Sequence, residues 1–333
     1  MSCCGQKCSS NSNEYETVRQ IQIDVKEYYK NIAKGDKPPF AGDCNLPIDQ
    51  YTATSLECPL KAPFPEYILE ILKEIHPDVL ASFYGCGLPI PEALNGCKVL
   101  DLGSGAGRDC YILSKLVGKN GHHEKAKQYL DYHADKFGYK NVDFHLGQIE
   151  KMDEKFSPNT FDVIVSNCVI CLTNDKPKVF EKVYELLKPG GEMYFSDGYA
   201  MKPVPESFRN WDLAYNECFG GALVWDDFVQ ICRKIGFLGP FIVQSYPYRS
   251  TIPELIEATK DLDFVARTVR LFKPDGTKSL LKPQIAYTGG ILGSEEELMF
   301  DLEHRFKIKQ SVGVSSDVAN AITSSRYAQY FDA

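Results

Sequence analysis

The sequence predicts an α/β fold built on a mostly parallel, doubly wound sheet, and three observations carry that reading. Cys97-Lys98-Val99-Leu100-Asp101-Leu102 is a short apolar strand that runs into a glycine loop, Gly103-Ser104-Gly105-Ala106-Gly107. Helical periodicity resumes directly after the loop, from Arg108 to Val117, so strand, loop and helix form one unit. Strand-like and helix-like segments then alternate to about residue 200, as crossover connections require. In such a sheet ligands sit at the carboxyl ends of the strands.

Met1 to Asn13 is small and polar, with Cys3, Cys4 and Cys8, and residues 1–14 read as a disordered tail. Tyr15 to Ile32 has a helical period, which Lys37-Pro38-Pro39 ends; the stretch to Leu60 is loop-like and holds Cys44. Pro65 opens a helix whose apolar face is Ile68, Leu69, Ile71, Leu72 and Ile75. Beyond the glycine loop follow a helix from Lys125 to Phe137, a strand over 142–146 and a strand from Phe161 to Val165 that enters Ser166-Asn167. A helix from Lys176 to Leu187, closed by Lys188-Pro189-Gly190-Gly191, precedes a strand from Glu192 to Asp197. After residue 200 the rhythm changes. Phe208 to Cys218 and Trp225 to Ile235 read as helices, and Phe241–Tyr246, Phe264–Phe272, Ile285–Tyr287 and Leu298–Phe300 as strands, which predicts a second lobe with antiparallel strands.

A chain of 333 residues has room for two domains or one large domain with an appended lobe. No apolar run reaches the roughly 18 residues of a membrane span, and no signal-peptide core follows Met1, so the expectation is a soluble, cytoplasmic protein. A net charge of −8 argues against coating nucleic acid, which needs a positive surface. Twelve cysteines without a secretory signal read as reduced thiols. Cys168-x-x-Cys171 lacks the second pair that structural zinc requires, so Cys171 reads as filler, and Cys97, Cys110 and Cys232 as packed core.

The chemistry concentrates in four motifs. Cys86 lies in Tyr84-Gly85-Cys86-Gly87, Cys168 in Ser166-Asn167-Cys168-Val169 and Cys218 in Glu217-Cys218-Phe219-Gly220-Gly221, with Cys58 upstream; the glycine loop is the fourth. Thiolates suit a soft, thiophilic acceptor, and a glycine loop at a helix N-terminus suits a charged small-molecule cofactor. Asp101 at the strand end could hold a positively charged amino-acid group.

These motifs resemble the arsenite S-adenosylmethionine methyltransferase family, as do Arg270-Leu271-Phe272-Lys273 and Ser325-Arg326-Tyr327, and the likeness runs from about Tyr28 to the C-terminus. The resemblance implies a Rossmann-like class I methyltransferase sheet with an appended α+β arsenic-binding lobe. Residues 15–200 would form the S-adenosylmethionine-binding domain, 201–280 the arsenic-binding lobe and 281–333 a β-containing C-terminal region. It implies methyl transfer from S-adenosylmethionine to thiolate-bound trivalent arsenic, in arsenic detoxification by a monomer. Cys58, Cys86, Cys168 and Cys218 would be the catalytic cysteines. Cys168 and Cys218 would hold the arsenic, with Cys58, or its partner Cys86, as third thiolate. Tyr84, Asp101, Gly103, Ser104, Gly105, Gly107, Ile149 and Glu150 would contact the cofactor. A Cys58–Cys86 disulfide would be reset by a thiol reductant, thioredoxin or glutathione.

One segment departs from the family. Its second strand ends in a Gly-x-Asp-Met-Thr segment whose acid would bond the ribose. Here the chain reads Leu116-Val117-Gly118-Lys119-Asn120-Gly121-His122-His123-Glu124-Lys125-Ala126. The expectation is that this second strand is missing and that Glu124 opens the next helix. Losing the ribose contact would weaken cofactor binding by about 10²-fold. The alternative function is therefore an arsenic-binding protein without turnover.

Overall fold

The computed structural model describes residues 64–119, 122–124, 129–250, 252–276 and 283–332. The expected tail, the helix at Tyr15–Ile32, Cys44 and Cys58 lie outside the described residues.

Two helices lead in, α1 (Glu66–Lys73) and α2 (Pro77–Ala81), and α1 buries Ile68, Ile71 and Leu72 on one face. The sheet begins with β1 (Lys98–Leu102), followed by α3 (Arg108–Val117), β2 (His122–Glu124), α4 (Leu130–Phe137) and β3 (Val142–Asp143). Next come β4 (Phe161–Asn167), α5 (Lys176–Leu186), β5 (Leu187–Ala200), the short helices α6 (Glu206–Arg209) and α7 (Asp212–Asn216), and β6 (Leu223–Val224). The sheet closes with α8 (Trp225–Ile235), β7 (Leu238–Pro247), α9 (Pro253–Thr259) and β8 (Phe264–Phe272). The remainder is β9 (Gln284–Tyr287), β10 (Glu297–Met299), β11 (Arg305–Lys307), β12 (Ser311–Gly313), α10 (Ser316–Thr323) and β13 (Phe331–Asp332).

The main sheet has the order β3-β2-β1-β4-β5-β8-β7, parallel from β3 to β5, with β8 antiparallel to both its neighbours. Its central strands are buried on both faces, which explains why they read as continuous apolar runs. One face packs Val99, Val163 and Val165 against α1 and α3; the other packs Ile164, Met193 and Val269 against α5 and α8. The C-terminal segment adds the antiparallel sheet β12-β9-β13 and the ladder β10–β11, with its own core of Tyr287, Phe300, Phe306 and Tyr327.

Four expectations change. The second strand is present: β2 pairs in parallel with β1, Leu100 opposite Glu124, and on its other edge with β3. It is three residues long and lacks apolar side chains, which is why periodicity does not reveal it. Glu124 ends that strand instead of opening a helix; the next helix starts at Leu130. The strands expected in a separate lobe, β7 and β8, complete the main sheet instead. The helix expected over Phe208–Cys218 is two short helices, because Trp211 takes an extended conformation between them.

Candidate active site

The carboxyl ends of β1, β4 and β5 converge on one edge of the sheet, and each contributes to the site. The end of β1 presents Asp101, which is buried and accepts a hydrogen bond from the Cys110 thiol at 3.1 Å. Gly103, Gly105 and Gly107 all take positive φ, a turn that only glycine makes without strain, and Gly107 caps α3. Beside the loop is a cleft of about 400 Å³, solvent-facing space included, lined by Asp101, His145, Gly147, Gln148, Ile149 and Phe156 among others. Glu150 accepts a hydrogen bond from the Asn174 N–H at 3.3 Å. Asp101 and Ile149 thus line the cleft, while Gly103, Ser104, Gly105 and Gly107 form the loop that continues from Asp101.

Asn167 at the end of β4 joins the motifs. Its side-chain oxygen accepts the Cys86 N–H at 3.0 Å; its amide donates to the Gly87 carbonyl at 3.0 Å and to Asp109 at 2.9 Å. Asp109 is paired at 2.7 Å with Arg108, which stacks on Phe83. Tyr84, half-buried, donates to the Glu217 carboxylate at 3.3 Å and so ties this segment to the residue before Cys218.

The cysteines meet one step beyond. Cys168 follows β4 and Cys218 follows α7; both have positive φ, 56° and 64°. Non-glycine residues avoid that region unless their surroundings impose it, and such strain clusters at functional sites. Their sulfurs are 3.6 Å apart, at 3% and 0% exposure. The Cys86 thiol lies beside them, 3.6 Å from the Ser196 hydroxyl, and burial pushes its pKa well up. Hydrogen bonds from Cys168 and Cys171 bring the Cys218 thiol down to about 7, against the effect of burial. The cysteines belong to one packed apolar cluster with Phe208, Phe219, Ala222, Tyr248 and Phe264.

Sequence reasoning missed two residues here. Cys171, read as filler, lies with Cys168 and Cys218: the three sulfurs are within 4.8 Å of one another. The signal was the Cys168-x-x-Cys171 spacing, set aside for want of a second pair. Asp197 in β5 accepts the N–H groups of Ile170 and Cys171 at 2.9 and 3.2 Å, and burial raises its pKa. Gly221 explains why glycine follows Cys218: a Cβ there would come within 1.9 Å of the Cys171 carbonyl oxygen.

Fold and loop together define a class I methyltransferase, and residues 93–236 match the family described as "Methyltransferase domain". Residues 281–333 match "Arsenite methyltransferase C-terminal domain". Arsenite methyltransferases from Rattus norvegicus and Homo sapiens are each 41% identical over 325 residues, covering 94% of this chain and 85% and 83% of theirs. That of Aquipseudomonas alcaligenes is 41% identical over 281 residues, 80% of this chain and 81% of its own. The crystal structure of an arsenic(III) S-adenosylmethionine methyltransferase from Chlamydomonas reinhardtii superposes with a TM-score of 0.74 at 35% identity, covering 80% of this chain and 95% of that one. The chain belongs to the arsenite methyltransferase family.

Proposed function

We propose that this protein transfers a methyl group from S-adenosylmethionine to trivalent arsenic held by Cys168 and Cys218. The observation that carries the proposal is the pair of buried sulfurs 3.6 Å apart, on strained backbone, at the sheet edge where the glycine loop ends β1. The residues present suit the cofactor: a loop of three positive-φ glycines, a buried carboxylate at Asp101 and an adjoining cleft. Asp101, Gly103, Ser104, Gly105, Gly107, Ile149, Glu150 and Tyr84 would hold it, and Glu124, the acid that ends β2, would bond the ribose. When bound, S-adenosylmethionine supplies an electrophilic methyl on a sulfonium.

Cys168 and Cys218 fix the arsenic so that its lone pair points in one direction; positioning of this kind supplies much of the acceleration in such reactions. The burial of these cysteines in an apolar cluster keeps water from the arsenic. Cys86, with Cys58, serves the redox steps between methylations, as a disulfide that thioredoxin or glutathione reduces. The proposal places a monomer in the cytoplasm; among the described residues no helix is long and apolar enough to cross a membrane. The alternative, an arsenic trap without turnover, assumes a cofactor site without its second strand and ribose-binding acid; the strand is present as β2 and ends in an acid, Glu124.

The test is arsenite-dependent formation of S-adenosylhomocysteine with excess thiol. Turnover that needs arsenite supports the proposal; tight arsenite binding without cofactor binding would return the trap. Glu124→Gln is expected to weaken S-adenosylmethionine binding about tenfold, the worth of one hydrogen bond to a charged group, as read by calorimetry.

A further inference from the structure

Two of the three clustered sulfurs are accounted for above, and the third is not. Cys171 is 2% exposed, on the 3₁₀ turn Ile170–Leu172 that follows Cys168. Its backbone is held on both sides: Asp197 accepts its N–H, and the bare backbone of Gly221 abuts its carbonyl. Among the described residues, Cys168, Cys171 and Cys218 form the set of potential soft-ion ligands whose donor atoms all lie within 4.8 Å of one another. Two metal–sulfur bonds of about 2.3 Å, the zinc–thiolate length, span about 3.3 Å when they meet at a right angle. The Cys168–Cys218 separation of 3.6 Å is already close to that value.

We propose that Cys171 is the third sulfur ligand of inorganic arsenite, so that Cys168, Cys171 and Cys218 bind it as a tris-thiolate without a cysteine from residues 1–63. This rests on the arsenite reading above. Arsenous acid carries three hydroxyls. Each thiol forms one As–S bond as one As–O bond breaks, and the thiol proton leaves with the hydroxyl as water. Three such exchanges release three waters, change no oxidation state and give a neutral complex. Held by two thiols alone, the arsenic would keep one hydroxyl; the third thiol of the cluster replaces it with sulfur. A monomethylated arsenical has only two exchangeable hydroxyls, so Cys171 serves the inorganic substrate in particular. The Cys58/Cys86 pair is thereby freed from ligation for its redox role.

The experiment is X-ray absorption at the arsenic edge on the full chain loaded with sodium arsenite, paired with binding titrations. Wild type and the Cys58→Ser/Cys86→Ser double variant are expected to show three sulfurs. Cys171→Ser and Cys171→Ala are expected to show two sulfurs and one oxygen. Their arsenite affinity should fall at least about tenfold, no less than the loss of an outer-shell partner costs a metal site. Their affinity for methylarsenous acid should stay close to that of wild type. Three sulfurs in a Cys171 variant, or two in the double variant, would overturn the proposal and leave the Cys168/Cys218 reading standing. Undiminished arsenite binding in both Cys168→Ser and Cys218→Ser would remove that reading itself. The double variant decides the question even where a Cys171 variant fails to fold.

Discussion

The β5–β8 ladder buries polar chemistry in opposite ways at its Glu192 end and at its middle. At one end Glu192, fully buried, is held by Arg270 at 2.9 Å and Arg326 at 2.5 Å. Arg270 also reaches Glu92 at 2.8 Å and the Phe300 carbonyl at 2.8 Å, and Tyr327 donates to Glu92 at 2.9 Å. At its middle, Ser196 and Asp197 face Cys86, Cys168, Cys171 and Cys218, thiols that lie against one another and against these two residues. The first is a matched set of hard charges that fastens the C-terminal segment to the sheet. The second is a set of soft donors with protons to give up, the pattern of a site that receives a ligand. Burial alone therefore does not separate structure from function; the match between donors and partners does.

Breaking the charged end should give the largest effect on stability. Glu192→Gln leaves two buried guanidinium groups short of a counter-charge and should cost about 3–5 kcal/mol in urea unfolding. The thiol region begins about 13 Å further along the strand, at Ser196, four residues on. Arsenite affinity of the folded variant should therefore stay within about twofold of wild type. A parallel loss of affinity would show that the two regions act as one.

Gly221→Ala sharpens the comparison from the other side. Its Cβ would meet the Cys171 carbonyl at 1.9 Å, so the turn must move, at about 1–3 kcal/mol for overpacking. Arsenite binding should fall with it, and the Glu192 network should be untouched. Unchanged arsenite affinity would dissociate the turn from the site.

The smallest effect is a matter of pH. Burial works against ionisation of Glu92, but the Arg270 guanidinium and hydrogen bonds outweigh it and hold the carboxyl below its ordinary value. A lowered carboxyl stabilises the fold above its unfolded pKa, about 4.3, and that contribution is lost as pH falls through the folded value. Glu92→Gln should thus be less stable than wild type at neutral pH, with the difference shrinking in acid. A constant difference across the range would contradict the pairing.

Much of this was legible in the chain. The strand–loop–helix at 97–117 and the strand Phe264–Phe272 announced themselves, because buried strands are apolar and helices periodic. Cys86, Cys168 and Cys218 stood out through the motifs around them. The second strand did not: His122-His123-Glu124 has no apolar signature, and only pairing with β1 makes it a strand. Cys171 was misread because spacing exposes ligands near in sequence, while its partner Cys218 arrives from a distant segment by way of two glycines. Asp197 was placed in a strand but given no role, since its function is to hold backbone N–H groups that only the fold brings to it.

The most direct test of the central claim is chromatography with elemental detection of methylated arsenic, from arsenite, S-adenosylmethionine and excess thiol, with wild type and Cys218→Ser in parallel. The account predicts thiol-dependent methylarsenicals from wild type and a fall of at least about a hundredfold in the folded variant, as displaced reactants suffer. Equal product from both proteins would contradict it.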